Sequence, residues 1–342
     1  MKVGLIARAE DRGLGIQSWE FYRAMRPERT LLVDMGQLAR GFPAHRDRYP
    51  DATLAHFDGG RLPEATVRDW LRGLDVVFTA ETFYDWRLPR WAAEHGVATV
   101  CQLNPEFHAA GVASGVTRWW APTCWRFEHL PPGTRVVPVP VAGDRFPLER
   151  PPRDGPLRLL HVVGHRALAD RNGTVPTTEA LRRVRGPVTA TLATQDARLA
   201  ANRLNRRGVT VGVRLNGVRN YWDVYRGQDV LILPRRYGGL CLPVQEAMAS
   251  GLAVVMTDTE PQASTWPATL VRSRPGRPLH VPAGDIRPVD VDAVSLARAI
   301  DELVGDDAAV VEQQEASLRW ARANTWEALR PLYERELADA CR

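Results

Sequence analysis

Residues 227–258 of this 342-residue chain read GQDVLILPRRYGGLCLPVQEAMASGLAVVMTD, and the fold follows from this stretch. The run Asp229–Pro234 is apolar after its first residue, which is typical of a strand buried in a parallel sheet. Pro243 suits the first turn of a helix, Gly251 suits the position just after it, and Ala253–Met256 is a second buried strand. The stretch therefore predicts a strand, a glycine loop, a helix and another strand.

The predicted loop begins at Tyr237, where a glycine pair interrupts the apolar pattern. Glycine allows a ligand to approach the backbone closely, and a helix N-terminus presents free N–H groups and a positive dipole end. Both features suit a phosphate or a sugar hydroxyl. A doubly wound protein without a ligand would carry the same pattern, so the pattern alone leaves both interpretations open. The candidate contacts are Gly238, Gly239, Leu240, Cys241 and Leu242.

The residue types in this stretch resemble the nucleotide-sugar motif of GT-B glycosyltransferases, family 4 in particular, in a form typical of phages and actinobacteria. The shared features are a proline, an aromatic residue, a glycine pair, a Leu-Pro dipeptide and the segment Glu246–Gly251, EAMASG. In that family two glutamates stand with seven residues between them. Glu246 matches the second, which the resemblance assigns to the ribose of the nucleotide. Gly238 occupies the position of the first glutamate, and Gly239 matches the glycine after it.

Apolar strands alternate with helices along the whole chain. This alternation predicts an α/β protein with parallel sheets covered by helices on both faces. The resemblance implies the GT-B arrangement, in which two Rossmann-like doubly wound domains face a central cleft. The stiff polar run 151–156 puts the domain boundary close to residue 150. We expect an acceptor domain at 1–148, a nucleotide-sugar domain at 149–325, and a C-terminal helix at 326–342 that packs on the first domain.

The chain opens with a predicted strand at Lys2–Ala7, a loop at Asp11–Gly15 and a helix at Ile16–Met25. Many nucleotide-binding domains begin in this way, although a lone GxG is weak evidence and a tight turn explains it as well. The GT-B resemblance implies that this loop approaches the donor phosphates. It makes Gly13 and Gly15 candidate donor contacts.

Cationic residues follow the strand that ends at Gly164 in the second domain. Family 4 enzymes carry a glycine–arginine pair at this strand end and a second cation a few residues later, and the two cations hold the diphosphate. The resemblance assigns these roles to Arg166 and Arg171. Guanidinium groups grip two phosphate oxygens and stabilise charge on a leaving diphosphate. Two surface arginines in an arginine-rich chain are the alternative. The resemblance also puts the nucleotide base against the loop that contains Val218.

Polar side chains follow two predicted strands of the first domain. Glu81 comes after one strand, and Asn104, Glu106 and His108 come after the next. Ligands of parallel sheets bind beyond the C-terminal strand ends, so these residues predict an acceptor-side cluster. In this hypothesis Glu106 or His108 orients the acceptor hydroxyl. Helix capping is the alternative explanation for each residue.

Composition and sequence pattern bear on the cellular compartment and on metal binding. No apolar run approaches the roughly 20 residues that a membrane span needs, and the four cysteines lack CxxC spacing, which argues against a zinc site. The start, MKVGLIARAEDRG, leads directly into a strand. We therefore expect a cytoplasmic protein, in the host cytoplasm if phage-encoded. The triplet Asp290-Val291-Asp292 is formally a metal-binding DxD, but we expect both aspartates to cap a helix.

The sequence therefore predicts a glycosyltransferase that moves a sugar from a UDP- or GDP-linked nucleotide sugar to an acceptor hydroxyl. The family implies retention at the anomeric carbon and no metal or other cofactor. The acceptor stays open between protein, glycan and modified DNA. The missing carboxylate at Gly238 motivates a second interpretation, a non-catalytic nucleotide-sugar-binding module.

A third interpretation is a DNA-modifying glycosyltransferase that acts on hydroxymethylated bases. The net charge of +5 and the runs Arg118-Trp119-Trp120 and Trp125-Arg126 allow a DNA-facing patch. Aromatic residues buried in a strand and a helix explain the same runs.

Overall fold

The computed structural model describes residues 1–10, 12–36, 45–108, 115–164, 169–194, 204–215, 220–281 and 284–342. The chain folds into two compact units. The first comprises Met1–Pro140, Val281–Gly284 and Trp326–Arg342, and the second comprises Val141–His280 and Asp285–Thr325. A parallel sheet forms the centre of each unit. The predicted α/β class with two parallel sheets is confirmed.

The sheet of the first unit contains seven strands within the described residues. They are β1 (Val3–Ala7), β2 (Arg29–Asp34), β3 (Thr53–His56), β4 (Val76–Ala80), β5 (Ala98–Gln102), β6 (Arg118–Ala121) and β7 (Arg135–Val136). The strands lie in the order β3-β2-β1-β4-β5-β6-β7, and each neighbouring pair is parallel. Every residue of β1 and β4 is buried, as expected for central strands covered on both faces. The helices of this part of the chain are α1 (Gly13–Met25), α2 (Glu64–Leu71) and α3 (Leu88–Glu94).

The sheet of the second unit has six strands in the part of the chain that the structure describes. They are β8 (Leu157–Val162), β9 (Val188–Thr194), β10 (Val209–Leu215), β11 (Val230–Leu233), β12 (Ala253–Thr257) and β13 (Thr269–Val271). Their order is β10-β9-β8-β11-β12-β13, again with parallel pairing.

Helices and two small sheets complete the chain. The helices are α4 (Thr174–Leu181), α5 (Leu242–Ala249), α6 (Gln262–Thr265), α7 (Ala293–Gly305), α8 (Asp307–Ala323) and α9 (Trp326–Ala340). The small sheets pair β14 (Ser273–Pro275) with β17 (Val289–Val291), and β15 (Leu279–Val281) with β16 (Gly284–Ile286).

Each large sheet has a point at which the strand order changes direction. This switch point lies between β1 and β4 in the first unit and between β8 and β11 in the second. Ligands of open α/β sheets bind outside the C-terminal strand ends at such points. The register pairs Ile6 with Thr79 and Leu160 with Leu231, so the loops that follow these strands meet in pairs. These four loops are therefore the positions where ligand contacts are expected.

The C-terminal helix α9 belongs to the core of the first unit. The ring of Phe21 on α1 stacks on Phe78 of β4 with centroids 4.1 Å apart, and Trp326 of α9 meets Phe21 edge-on at 5.9 Å. Tyr333 of α9 packs against Trp120 at 5.3 Å, and its hydroxyl donates to the carbonyl of Pro138 at 3.1 Å. This aromatic cluster buries one face of the sheet under α1 and α9.

One predicted helix boundary is wrong. Helix α1 begins at Gly13, so both glycines of the predicted loop lie in its first turn. Helix α9 continues through Pro331. Helix α8 ends at Ala323, and the side-chain amide of the next residue, Asn324, donates to the carbonyl of Trp320 at 2.8 Å.

Candidate functional site

The loop between β11 and α5 is held from inside by a buried arginine. Arg235 is 2% exposed, and its Nε donates to the carbonyl of Tyr237 at 3.0 Å. Its Nη2 donates to the carbonyl of Leu240 at 2.6 Å. These carbonyls flank the glycine pair, so the guanidinium sets the path of the backbone across it. Gly238 has φ 115, a conformation in which a glutamate would be strained.

The same arginine ties this loop to the loop after β8. The Nη1 of Arg235 approaches Oδ1 of Asn172 at 3.4 Å, and Nδ2 of Asn172 donates to the carbonyl of Val162 at 3.0 Å. Gly173 has φ 73, and a Cβ there would lie 2.3 Å from the carbonyl oxygen of Pro234. The loops after β8 and β11 therefore pack backbone against backbone at the switch point of the second unit.

Arg236 holds the other side of this loop. Its guanidinium donates to the carbonyl of Ala169 at 2.6 Å, to a carbonyl of β17 at 3.0 Å, and to Oδ1 of Asp290 at 2.7 Å. Asp290 is therefore an ion-pair partner within a strand, and the prediction that it caps a helix is wrong, because β17 pairs with β14. The prediction for Asp292 is confirmed, since its carboxylate accepts from two N–H groups of the first turn of α7.

Glu246 projects from α5 and is held by a tyrosine. The helix begins at Leu242 and carries Pro243 in its first turn, as predicted. Glu246 is 7% exposed, and its Oε2 accepts a hydrogen bond from the hydroxyl of Tyr225 at 2.5 Å. Burial raises the pKa of Tyr225 well above its ordinary value, and the charge of Glu246 raises it further. The phenol therefore stays protonated as a donor and fixes the orientation of the carboxylate.

The other predicted donor residues lie at the same switch point or outside the described residues. Gly164 follows β8 with φ 67, and Arg171 lies half-buried in the turn before α4. The carbonyl of Arg171 accepts from the N–H of Arg236 at 2.8 Å. Arg166 and Val218 lie outside the described residues. The structure thus brings together Gly164, Arg171, the glycine loop and the start of α5 within the second unit.

The two glycines of the first unit have different surroundings. Gly13 is exposed at the start of α1, whereas Gly15 is buried. A Cβ on Gly15 would lie 2.1 Å from the carbonyl oxygen of Glu10. Close packing of the helix on the preceding loop therefore requires glycine at position 15. The donor-phosphate role of both residues stays a prediction.

The predicted acceptor-side residues gather at the C-terminal ends of β4 and β5. The Nδ2 of Asn104 donates to Oε1 of Glu81 at 3.1 Å. Glu106 is 1% exposed, so its side chain is enclosed by the unit. The ring of His108 meets Trp119 edge-on at 5.1 Å, and partial burial lowers the pKa of this histidine. Their roles toward an acceptor stay a prediction.

The structure adds three residues to this edge that the sequence analysis missed. Arg8 and Glu10 follow β1 and form an ion pair of 2.6 Å. Tyr84 follows β4 with φ 65, and Glu81 in the same loop has φ 64. Burial raises the pKa of the Tyr84 hydroxyl well above its ordinary value. The charges of Glu10 and Glu81 raise this pKa further, whereas the charge of Arg8 lowers it. No local pattern marks Tyr84, because its neighbours along the chain are also aromatic or polar.

Two of the three tryptophans that suggested DNA binding are part of the core. Trp120 is 0% exposed and Trp119 is 8% exposed, and both lie in β6. For these two, the alternative explanation that the aromatic residues are buried in a strand is confirmed. Trp125 is half-buried and lies in a turn after β6, not in a helix.

Within the described ranges, no group of three or more His, Cys, Asp or Glu side chains lies close enough to hold a metal ion. None of the helices described combines the length and apolar character that crossing a lipid bilayer requires.

A family model matches part of the chain, and several solved structures match nearly all of it. Residues 161–306 match the family model described as Glycosyl transferases group 1. No curated protein sequence matches the chain. Among solved structures, HepE of Anabaena in complex with UDP and glucose has a TM-score of 0.68 at 11% identity, over 99% of this chain and 100% of that one. Sucrose-phosphate synthase from Thermosynechococcus elongatus has a TM-score of 0.64 at 16% identity, over 99% and 100%.

A third similar structure is a UDP-forming α,α-trehalose-phosphate synthase from Burkholderia xenovorans, with a TM-score of 0.62 at 13% identity over all of both chains. The match over whole chains confirms the predicted GT-B fold. The family match spans both loops of the second switch point, from His161 in β8 to beyond α7. The protein thus has the GT-B fold, and its residues 161–306 match the family model for glycosyl transferases group 1.

Proposed function

We propose that the protein transfers a sugar from a UDP-linked donor to an acceptor hydroxyl, with retention at the anomeric carbon and without a metal. The observation that carries this proposal is the assembly of the glycine loop and the Tyr225–Glu246 pair at one switch point, inside the matched domain. UDP is favoured over GDP because HepE is complexed with UDP and the trehalose-phosphate synthase is described as UDP-forming.

Each donor contact follows from its chemistry. Glu246 accepts hydrogen bonds from the ribose hydroxyls, because a carboxylate is an acceptor with several lone pairs. The backbone of Gly238–Cys241 and the N-terminal turn of α5 hold the donor sugar and its phosphates with N–H groups. Gly164 lies beside the phosphates, and Arg166 and Arg171 bind the diphosphate.

The transfer exchanges one bond at the anomeric carbon for another. The bond from this carbon to the diphosphate oxygen breaks, and a bond to the acceptor oxygen forms on the same face. The acceptor proton passes to the departing diphosphate. Fixed cations and the dipole of α5 stabilise the charge that develops on this leaving group, which is the main electrostatic demand of the reaction.

The test combines binding and product analysis. We expect UDP to bind in isothermal titration calorimetry, and Glu246→Gln to weaken binding about tenfold, because a hydrogen bond to a charged group contributes roughly 1.5–3 kcal/mol. Glu312→Gln, an exposed position on α8, is the control. Unaltered UDP affinity in Glu246→Gln contradicts the assignment of this residue.

Turnover separates an enzyme from a non-catalytic binding module. With UDP-glucose and a panel of acceptors, we expect release of UDP and a glycosylated product by mass spectrometry, with activity that persists in EDTA. NMR of the product gives the anomeric configuration, and inversion contradicts the proposed stereochemistry. UDP binding without product from any acceptor favours the binding module.

A further inference from the structure

The loops at the switch point of the first unit enclose a group of polar side chains, here named the β1–β4 crevice. It is formed by Arg8, Glu10, Glu81, Tyr84 and Asn104. The register pairs Ile6 with Thr79 and Ala80 with Gln102, so the residues after β1, β4 and β5 emerge side by side. Open α/β sheets bind their ligands at this position.

Two buried polar atoms of the crevice have no hydrogen-bond partner in the described part of the chain. They are the hydroxyl of Tyr84, a residue that is 9% exposed, and Oδ1 of Asn104, a residue that is 7% exposed. Buried polar groups are satisfied in the great majority of cases, and an unsatisfied one costs roughly 1–3 kcal/mol. The Nδ2 of Asn104 donates to Oε1 of Glu81 at 3.1 Å. The Tyr84 hydroxyl interacts electrostatically with Arg8 and Glu81. Both atoms therefore belong to the crevice.

The hydrogen-bonding capacity of these atoms indicates the kind of ligand. A phenol hydroxyl both donates and accepts, an amide oxygen accepts, and a carboxylate accepts. This combination suits the hydroxyl groups of a sugar, each of which donates one hydrogen bond and accepts others. The phosphate group of a sugar phosphate carries only acceptors at neutral pH. Where this group replaces a hydroxyl, it leaves Oδ1 of Asn104 or a carboxylate of the crevice without a donor.

The charge of the crevice leads to the same conclusion. The guanidinium of Arg8 lies 2.6 Å from Glu10, and the side chains are only 17% and 7% exposed, so this cation is already paired. Arg12 adds a second guanidinium that interacts with Arg8 and Glu10, and Glu81 adds a second carboxylate. Two carboxylates therefore balance two cations among these described groups. No excess positive charge attracts a dianionic ligand to this site.

We propose that the β1–β4 crevice binds the acceptor as a neutral, polyhydroxylated sugar unit and discriminates against sugar phosphates and nucleic acid. This inference rests on the proposed function, since it names the acceptor of the same reaction. Hydroxyl groups of the acceptor hydrogen-bond to Tyr84, Asn104 and Glu81. Two of the similar structures are named for phosphorylated products, which makes a sugar phosphate the relevant competitor.

Ligand-observed NMR on the full chain with saturating UDP tests the class of acceptor. The probes are the methyl glycosides of glucose, galactose and mannose, with glucose 6-phosphate and a single-stranded DNA oligonucleotide as competitors. We expect at least one neutral glycoside to bind about tenfold more tightly than glucose 6-phosphate, because a site built to hydrogen-bond hydroxyls rejects ligands that leave it unpaired. Equal or tighter binding of glucose 6-phosphate or DNA overturns the proposal, as does the absence of binding by all three glycosides.

Two variants locate the binding in the crevice. Tyr84→Phe removes one hydroxyl, and we expect it to weaken glycoside binding about fivefold. Glu81→Gln removes one negative charge, and we expect the ratio of glycoside affinity to glucose 6-phosphate affinity to fall severalfold. Tyr22→Phe, a half-buried tyrosine of α1 outside the crevice, is the control, and a thermal melt checks that each variant is folded. Unchanged glycoside affinity in both crevice variants overturns the assignment.

UDP binding separates this proposal from the proposed function. We expect UDP affinity to be the same in the natural protein, Tyr84→Phe and Glu81→Gln, because neither side chain is among the proposed donor contacts. A protein that binds no UDP refutes the donor proposal, and glycoside binding in its absence still supports the crevice. A protein that binds UDP but no neutral glycoside refutes the crevice proposal alone.

Discussion

The Nη2 of Arg235 donates a hydrogen bond of 2.6 Å to the carbonyl of Leu240, five residues further along the chain. The glycine loop between them contains no helix or strand that would fix its path. A buried guanidinium does so instead, because its planar fork offers several donors in a rigid arrangement. The shape of the proposed donor loop therefore depends on one side chain beneath it.

Replacement of Arg235 by lysine tests this dependence. Lysine keeps the positive charge but cannot reach the carbonyls of Tyr237 and Leu240 together, so at least one buried acceptor loses its donor. We expect the free energy of unfolding to fall by about 2–3 kcal/mol and UDP affinity to fall about tenfold. Urea denaturation and calorimetry measure the two effects. Arg183→Lys, an exposed arginine with one hydrogen bond to the carbonyl of Glu179, is the matched control. An unchanged UDP affinity would exclude Arg235 from positioning the loop.

Removal of the Tyr225 hydroxyl tests the orientation of Glu246. In Tyr225→Phe the carboxylate loses the donor that holds it, while the ring still fills its buried site. We expect the KM for UDP-glucose to rise about fivefold with kcat little changed, since one hydrogen bond to a charged group is lost. Tyr333→Phe removes a buried, hydrogen-bonded hydroxyl in the first unit and serves as the control for general destabilisation. An equal effect of both variants on KM would argue for a structural role alone.

Substitution of Gly15 by alanine tests the packing role of this residue. The added Cβ would lie 2.1 Å from the carbonyl oxygen of Glu10, so α1 must shift away from the loop. We expect the free energy of unfolding to fall by about 1–3 kcal/mol, as for other overpacked sites. The control is Gly212→Ala, because a Cβ on Gly212 meets nothing within 4 Å. Thermal denaturation of both variants gives the comparison, and equal stability would refute the packing argument.

The buried His161 predicts loss of stability in acid. Its Nδ1 lies 2.8 Å from the carbonyl of Ile232, its Nε2 lies 2.9 Å from Oγ1 of Thr174, and Thr177 Oγ1 lies 3.5 Å from Nδ1. Burial lowers its pKa to about 4, although the carbonyl of Ile232 and the charge of Asp170 act in the opposite direction. The ring is therefore neutral at pH 7, with the Nδ1 proton donated to the carbonyl.

The sign of this effect follows from proton binding. Between pH 4 and 6.5 the unfolded chain binds a proton at His161 that the folded chain does not, so stability falls as the pH is lowered through this window. The full contribution of the neutral His161 ring to the free energy of unfolding, about 3 kcal/mol, is present above pH 6.5. It is lost as the pH falls to 4. Chemical denaturation between pH 4 and 7 measures it. In His161→Gln we expect the slope in this window to decrease, and an identical slope would show that other groups cause the acid sensitivity.

Local sequence patterns were sufficient for the βαβ unit that carries the proposed donor site. The apolar run before Pro234, the glycine break, Pro243 in a first helical turn and Gly251 after the helix each follow from backbone preferences of single residues. Such preferences act over a few residues, so they are visible in the sequence. The predicted position of Glu246 on the helix is confirmed for the same reason.

Contacts between distant residues were decided by the tertiary structure. Tyr225 meets Glu246 across 21 residues, and Arg235 meets Asn172 across 63. Asp290 lies in a strand rather than at a helix end because β14 pairs with β17. The Tyr84 hydroxyl belongs to a crevice because β1 and β4 are neighbours.

There is a physical reason why local elements could be predicted from the sequence and contacts between distant residues could not. Hydrogen bonds within a helix turn or a loop depend on the few residues that form it, so the sequence alone determined the strands, the glycine loop and the helix that carries Glu246. The partner of a buried charge or hydroxyl depends on which strands become neighbours when the whole chain packs. Only the tertiary structure therefore decided which side chains hold the glycine loop from beneath and which polar atoms line the β1–β4 crevice.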